Sequence, residues 1–533
     1  KAGDAKMAAA WNPFDQNASA PFFDPLWMFQ MHDGFDIVIG NPPYVRQEKI
    51  KDQKPALQKA YGQKNAATGQ PTGSYAGTAD LFVYFIERGI RLLKQGGAFG
   101  YITSNKWYRA KYGENLRVWM NENSILQTII DFGDADVFDA IAYPTIIIAE
   151  RRETRGPYGP EQFRALNWQD LGDDVDKESF PALVEQSGFN MPQYSLEKTG
   201  WQIEPTVKRD LLARIRAAGV PLGDYVEGRF YRGILTGYND AFVIDGGKRA
   251  ELIAADPKSE ELIKPYLRGR DVKRWRVEPQ DLWLIFTRRG TDIDAYPAIK
   301  AHLEYFRAAL EPKPAVWEAS AAVPEWPGRK AGSYKWFEVQ DNIAYFNEFE
   351  TGKIIYPDIY EHQSYAWDST GAYCANTAYF IPTDQRWMCG VLNSPVIEWY
   401  YRQVSSAIRG GYLRAFSEVM QHVPIARTSP NNMALIDCLT GALCKAQNPA
   451  LEQLLNALVY ELYFEGDLHA RGLHLFAAAE TAGLAALAGL EGDALTKAAA
   501  TFTREHLAPG QPLRVMLSDL QTLDVVRIIE GKA

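Results

Sequence analysis

Phe35-Asp36-Ile37-Val38-Ile39-Gly40-Asn41-Pro42-Pro43-Tyr44 sets a short, mostly β-branched apolar run directly before a glycine, an asparagine and two prolines. A run of that kind, closed by turn residues, reads as a buried strand from Phe35 to Ile39. Two consecutive prolines fix φ, and the residue before a proline is driven to extended backbone, so Asn41 and the Pro42 carbonyl sit in a stiff corner. Lys49 to Ala79 is polar, rich in Gly, Gln and Thr and without periodicity, which predicts a long mobile connection over that corner. Asp80 then stands where a helix cap belongs, ahead of the apolar stripe Phe82, Phe85, Ile86, Gly89, Ile90 and Leu93. Gly96-Gly97 stop that helix and lead into a strand from Ala98 to Thr103. Glu114 to Asn121 reads as a helix and Leu126 to Phe132 as a strand, with Thr145 to Glu150 as the strand that closes the sheet. Helices alternating with strands predict an α/β fold with a parallel sheet, whose ligands bind beyond the carboxyl ends of the strands, where Asn41 stands.

The texture changes further on. From about Pro221 to Ile425 short β-like runs alternate with Gly, Pro, Asn and Asp and carry many Trp and Tyr residues. Past Ser429 the pattern turns helical, with the stripe Leu451, Leu454, Leu455, Leu458, Val459 and Leu462 and Ala-rich segments beyond it. The expected organisation is an α/β segment over residues 1–155, a connector over 156–220, a β-rich (α+β) domain over 221–428 and a helical region over 429–533. At 533 residues, 46% hydrophobic and 23% charged, the chain has the composition of an ordinary multidomain folded protein. It contains no apolar run near the roughly 20 residues that cross a bilayer. Its four cysteines, Cys374, Cys389, Cys438 and Cys444, have no metal-ligand spacing. These features predict a soluble cytoplasmic protein without a metal site. The formal charge of −9 argues against a polyanionic partner, but Lys264, Arg268, Arg270, Lys273, Arg274 and Arg276 crowd into one short segment against Asp271 alone.

The corner at Asn41 suits one kind of chemistry. An adenine amino nitrogen is a poor nucleophile because its lone pair is delocalised into the ring, so a catalyst must draw it toward tetrahedral geometry. The Asn41 amide oxygen and the Pro42 carbonyl can each accept one amino N–H, and Tyr44 offers a face for a base rotated out of its stack. With Phe35 to Ile39 before it and Asp80-Leu81-Phe82, Gly96-Gly97 and Tyr101 to Asn105 after it, Asn41-Pro42-Pro43-Tyr44 resembles the signature of the adenine-N6 DNA methyltransferases. The resemblance covers about a quarter of the chain, from Phe35 through Val137-Phe138 to the last strand of the α/β segment. It implies a Rossmann-like methyltransferase sheet, S-adenosylmethionine as methyl donor, and duplex DNA as substrate. It also implies that Asn41 and Pro42 hold the amino group while Tyr44 and Phe138 face the base from its two sides. Downstream, Gly233 to Ile244 and Gly269 to Trp275 resemble the target-recognition domain of such enzymes, in combined restriction-modification (type IIG) or BREX-type phage defence. There Arg268, Arg270, Lys273 and Arg274 are the expected phosphate contacts, and Thr236 and Asn239 the expected reach toward base edges.

One family feature is missing: a Gly-x-Gly turn for the cofactor, which occurs nowhere in the sequence. The resemblance then reads the chain as the C-terminal part of such an enzyme, partial in its sheet. The tetrapeptide also occurs in methyltransferases of protein glutamine amides, and the other alternative is a DNA-specificity module with an inert motif. A β-rich region of some two hundred residues with a basic segment favours DNA. Pro357-Asp358 lacks a neighbouring Glu-x-Lys, so no nuclease site is read in these residues. On this reading the 533-residue chain alone binds S-adenosylmethionine weakly or not at all; micromolar binding in a calorimetric titration would contradict it.

Overall fold

The computed structural model describes residues 6, 9–10, 12, 14–15, 23–133, 143–153, 161–168, 171, 180–318, 325–405, 407–408 and 412–532. The chain forms two compact units, Lys1–Arg209 and Asp210–Ala533.

The first unit is built on a mixed six-stranded sheet of β1 (Phe35–Gly40), β2 (Leu93–Ser104), β3 (Ser124–Asp131), β4 (Pro144–Arg151), β5 (Gln162–Asn167) and β6 (Phe189–Pro192), in the order β1-β2-β4-β3-β5-β6. β1 pairs with β2 in parallel, while β4 runs antiparallel to both β2 and β3. The strand expected to close the sheet therefore inserts into its middle: the Ile146-Ile147-Ile148 run gains a partner on each side. β5 and β6 come from the 156–220 stretch read as a connector, and they extend the sheet past β3.

β1 lies at the sheet edge, and its burial is incomplete: Ile37 and Ile39 are 64% and 78% exposed. The helix α2 (Leu81–Leu92), preceded by α1 (Lys54–Tyr61), packs on this sheet through Phe82, Ile86 and Ile90, all buried, as the stripe predicted, with Phe85 turned outward at 38% exposure. It approaches closely at Gly89, where a Cβ would meet the Tyr101 hydroxyl at 2.8 Å and the Phe99 ring at 2.9 Å. Gly97 plays the same part between strands, a Cβ there lying 2.9 Å from the Phe35 carbonyl. The 49–79 stretch is not a structureless connection. It holds a 3-10 turn at Gln47–Gln53 and then α1, with Ile50 buried and the Lys54 ammonium donating to the Ala79 carbonyl at 2.8 Å.

The second unit contains two four-stranded sheets beside a three-stranded and a two-stranded one. Of the four-stranded pair, one orders Tyr373–Cys374, Ile263–Leu267, Leu282–Ile285 and Val243–Asp245; the other orders Ala366–Asp368, Lys353–Pro357, Ala378–Pro382 and Tyr231–Arg232. Behind them the helices Pro430–Lys445 and Pro449–His469 bury Leu451, Leu454, Leu455, Leu458 and Val459 completely, which makes the C-terminal region helical as its periodicity required. The cysteines are free. No helix among the described residues is long and apolar enough to cross a membrane.

One polar pair lies inside this second core. Lys353 and Asp368 face each other across adjacent strands with both side chains wholly buried, Nζ to Oδ2 being 2.7 Å. The ammonium also donates to the Phe349 carbonyl at 2.6 Å, and Asp368 Oδ1 accepts from the Thr370 hydroxyl at 2.6 Å. Lys353→Met strands a carboxylate without its cation and is expected to cost about 3–5 kcal/mol of stability, measured by urea unfolding. Replacing both residues with apolar side chains should recover most of that loss, and equal destabilisation by the single and double variants would contradict the account.

Candidate functional site

The corner after β1 is fixed by what its backbone bonds to. The Leu81 amide, first in α2, donates to the Val45 carbonyl at 3.0 Å, and the Gln47 amide donates to Asp80 Oδ1 at 2.9 Å. Asp80 occupies the N-cap position but makes no side-chain cap bond to its own helix; its carboxylate clamps the segment that follows Tyr44. Inside the corner the Val45 amide donates to the Pro43 carbonyl at 3.0 Å. The Pro42 carbonyl and the Asn41 side chain accept no hydrogen bond among the described residues, and Asn41 is exposed while Pro42 is buried. Tyr44 is half-buried, its ring edge-on to Phe82 at 6.4 Å, and burial pushes its hydroxyl pKa up. Phe138 lies outside the described residues.

β1, β2 and β3 point the same way, so the ends at Gly40, Ser104 and Asp131 share one edge of the sheet. A polar network occupies that edge. Asn105 donates to Asp131 Oδ1 at 2.7 Å, the Gly133 amide donates to the same oxygen at 3.0 Å, and the Tyr108 and Thr145 hydroxyls lie 2.8 Å apart. Burial pushes the Asp131 carboxyl up, and the two donors pull it back. The loop after β2 is held by Arg117, a buried side chain in the helix Glu114–Asn123. Its guanidinium donates to the carbonyls of Trp107, Tyr108 (3.2 Å), Ala110 (3.0 Å), Lys198 (2.8 Å) and Thr199 (3.4 Å). Neither Asp131 nor Arg117 announces itself in the sequence; an acidic residue at the end of a predicted strand was the one available sign.

In the second unit the basic segment is largely neutralised by folding. Lys264 pairs with Glu350 at 3.2 Å, Arg268 with Asp271 at 2.9 Å, Arg274 with Glu452 at 2.7 Å and Arg276 with Glu278 at 2.8 Å. Burial acts to raise the Asp271 carboxyl, but the hydrogen bonds from the Arg268 side chain and amide outweigh it and hold the pKa low. Arg270 and Lys273 are exposed and form no ion pair among the described residues. Of the expected DNA contacts, Asn239, Arg268 and Arg270 line one cavity of about 580 Å3, while Lys273 and Arg274 do not line it. Thr236 is corrected: it is 1% exposed, too buried to reach a base, and its hydroxyl donates to Asn239 Oδ1 at 2.7 Å. Asp358 pairs with Arg414 at 3.0 Å, and the described residues hold no cluster suited to a metal ion.

Residues 2–138 match the Eco57I restriction-modification methylase family, and residues 264–425 match the TaqI-like C-terminal specificity domain. The type II methyltransferase M.PaeR7I of Pseudomonas aeruginosa is 26% identical over 443 residues, 80% of this chain and 70% of the relative. M.XhoI of Xanthomonas vasicola is 26% identical over 451 residues, 80% of this chain and 74% of the relative. Among solved structures, the type IIL restriction-modification enzyme MmeI in complex with DNA is 12% identical with a TM-score of 0.44, over 88% of this chain and 57% of that one.

If Asp80 is the clamp, Asp80→Ala leaves the Gln47 amide without its charged acceptor. Hydrogen exchange at that amide should then accelerate about tenfold or more. Asp80→Asn, which keeps an oxygen, should stay near wild type. Unchanged protection in Asp80→Ala would show that the clamp does not hold the corner.

Proposed function

We propose that this chain, which joins an Eco57I-type restriction-modification methylase segment to a TaqI-like specificity domain, acts in a site-specific DNA methyltransferase that methylates adenine N6. The observation that carries the reading is the pair of acceptors left over at the corner. The Asn41 side chain and the Pro42 carbonyl accept nothing from the described residues, while the surrounding amides of Val45, Gln47 and Leu81 are all satisfied. A rigid corner with two idle oxygens at the carboxyl end of a strand is what an exocyclic amino group requires.

In this reading the base is turned out of the duplex and its amino group gives one N–H to Asn41 Oδ1 and one to the Pro42 carbonyl. Both bonds pull the nitrogen out of the ring plane, so its lone pair localises and points along a single direction. Tyr44, held edge-on by Phe82, stacks on one face of the base; Phe138 is the proposed partner on the other. S-adenosylmethionine, when bound, supplies the electrophilic methyl group. No residue is assigned to it: the exposed Ile37 and Ile39 on β1 offer an apolar edge, but the sequence holds no Gly-x-Gly turn. The specificity domain supports DNA as the partner and restriction-modification or phage defence as the setting.

The test is methyl transfer by the complete protein to DNA, with modified adenine detected by sequencing. Asn41→Ala should keep the fold and lower the rate by two or more powers of ten, since a lost transition-state acceptor costs about 3 kcal/mol. Near-normal turnover by that variant, or methyl groups found on protein amides and not on DNA, would defeat the reading.

A further inference from the structure

The cavity of about 580 Å3 in the second unit is lined by the polar residues Asn239, Asp240, Arg268, Arg270, Asn376 and Thr377. Several of these are already committed. Arg268 is forked onto Asp271, and the Thr377 hydroxyl accepts from the Gly269 amide at 3.0 Å. Asn239 is half committed: its oxygen takes the Thr236 hydroxyl, which leaves the amide N–H pair as the group it offers. Arg270 and Asp240 are exposed, and their side chains make no hydrogen bond or ion pair among the described residues.

The turn that carries Asn239 and Asp240 is rigid. Arg329, 3% exposed, donates to the Thr236 carbonyl at 2.9 Å and to the carbonyls of Leu310, Lys335, Trp336 and Glu338. Gly237 between them has φ +85°, and a Cβ there would lie 2.6 Å from the Arg329 side chain. The backbone that carries Asn239 and Asp240 is therefore held without a ligand to order it.

We propose that this cavity reads one guanine–cytosine pair through the DNA major groove, with Arg270 on the guanine edge and Asp240 on the cytosine amino group. The inference rests on the reading of the chain as DNA-directed. A phosphate offers acceptors alone and would be repelled by Asp240, whereas a base pair offers acceptors and a donor side by side. Of the four bases only guanine presents two adjacent acceptors, O6 and N7, to a guanidinium fork, and cytosine N4 is the matching donor for a carboxylate. The usual two-bond pairing of asparagine with adenine would have to share the Asn239 amide oxygen with the Thr236 hydroxyl. Asn239 is left as an additional donor beside the guanine edge.

The experiment incubates the purified 533-residue chain with a library of randomised DNA duplexes and sequences what it retains. The wild type should enrich a sequence that includes a guanine–cytosine pair. Arg270→Ala and Asp240→Ala should each lose preference at that same pair, about tenfold or more, and keep the preferences elsewhere. Arg270→Lys keeps the charge but not the fork and should lose the same preference. Both positions are on the surface, so thermal melting of the three variants should not change. If Arg270→Lys restores binding and Arg270→Ala weakens every sequence alike, the residue grips phosphate and the proposal falls. It falls too if the wild-type preferences survive both alanine variants, or if the wild type retains DNA without preference. A wild type that retains no DNA overturns the DNA-directed reading with it.

Discussion

Everything at the candidate active site depends on how the backbone between Gly40 and Leu81 disposes of its hydrogen-bonding groups. A chain leaving a strand normally satisfies its amides and carbonyls locally or in water. Here the two prolines have no N–H to satisfy, the amides of Val45 and Gln47 are taken by the Pro43 carbonyl and the Asp80 carboxylate, and Val45 returns its own carbonyl to the Leu81 amide. Among the described residues, the Pro42 carbonyl and the Asn41 amide oxygen beside it are left without a donor. Asp80 is the pivot, since the residue that opens the helix α2 packed on the sheet also anchors the loop. The motion of the corner is thereby tied to that of a core helix whose Phe82, Ile86 and Ile90 are buried.

The parts of this arrangement that were legible in the sequence are those whose causes are local. The strand at Phe35–Gly40, the double-proline corner and the stripe of α2 follow from residues a few positions apart. So does the buried face of Leu451 to Val459. What could not be read depends on distant partners. Asp80 looks like an ordinary helix cap until Gln47, thirty-three positions earlier, is brought to its carboxylate. The isoleucine run of β4 reads equally well as an edge or a centre, because burial on both faces gives the same composition in either place; only its pairing with both β2 and β3 decides. The mobile connection predicted over 49–79 failed for a related reason. Its polar residues lack periodicity, yet Ile50 and the Lys54 bond to Ala79 fasten it down.

The basic segment carries the same lesson in electrostatic form. Six cations between Lys264 and Arg276 suggested a phosphate-binding stripe, but Glu350 and Glu452 arrive from 86 and 178 residues away to pair with Lys264 and Arg274. Such partly exposed pairs are each worth at most about 1 kcal/mol to the fold, so their main effect is on what the surface can offer a polyanion. A cation held by a carboxylate releases few counterions on meeting a phosphate, because its charge is already compensated. With most of this segment paired in a chain of net charge −9, the second unit is poorly equipped for indiscriminate attraction to DNA. Any tight complex it makes must draw on directional contacts from groups still unpaired. That shifts the balance from affinity toward selectivity: a surface that gains little from any phosphate backbone gains proportionally more from a sequence whose base edges match the donors and the carboxylate that line its cavity.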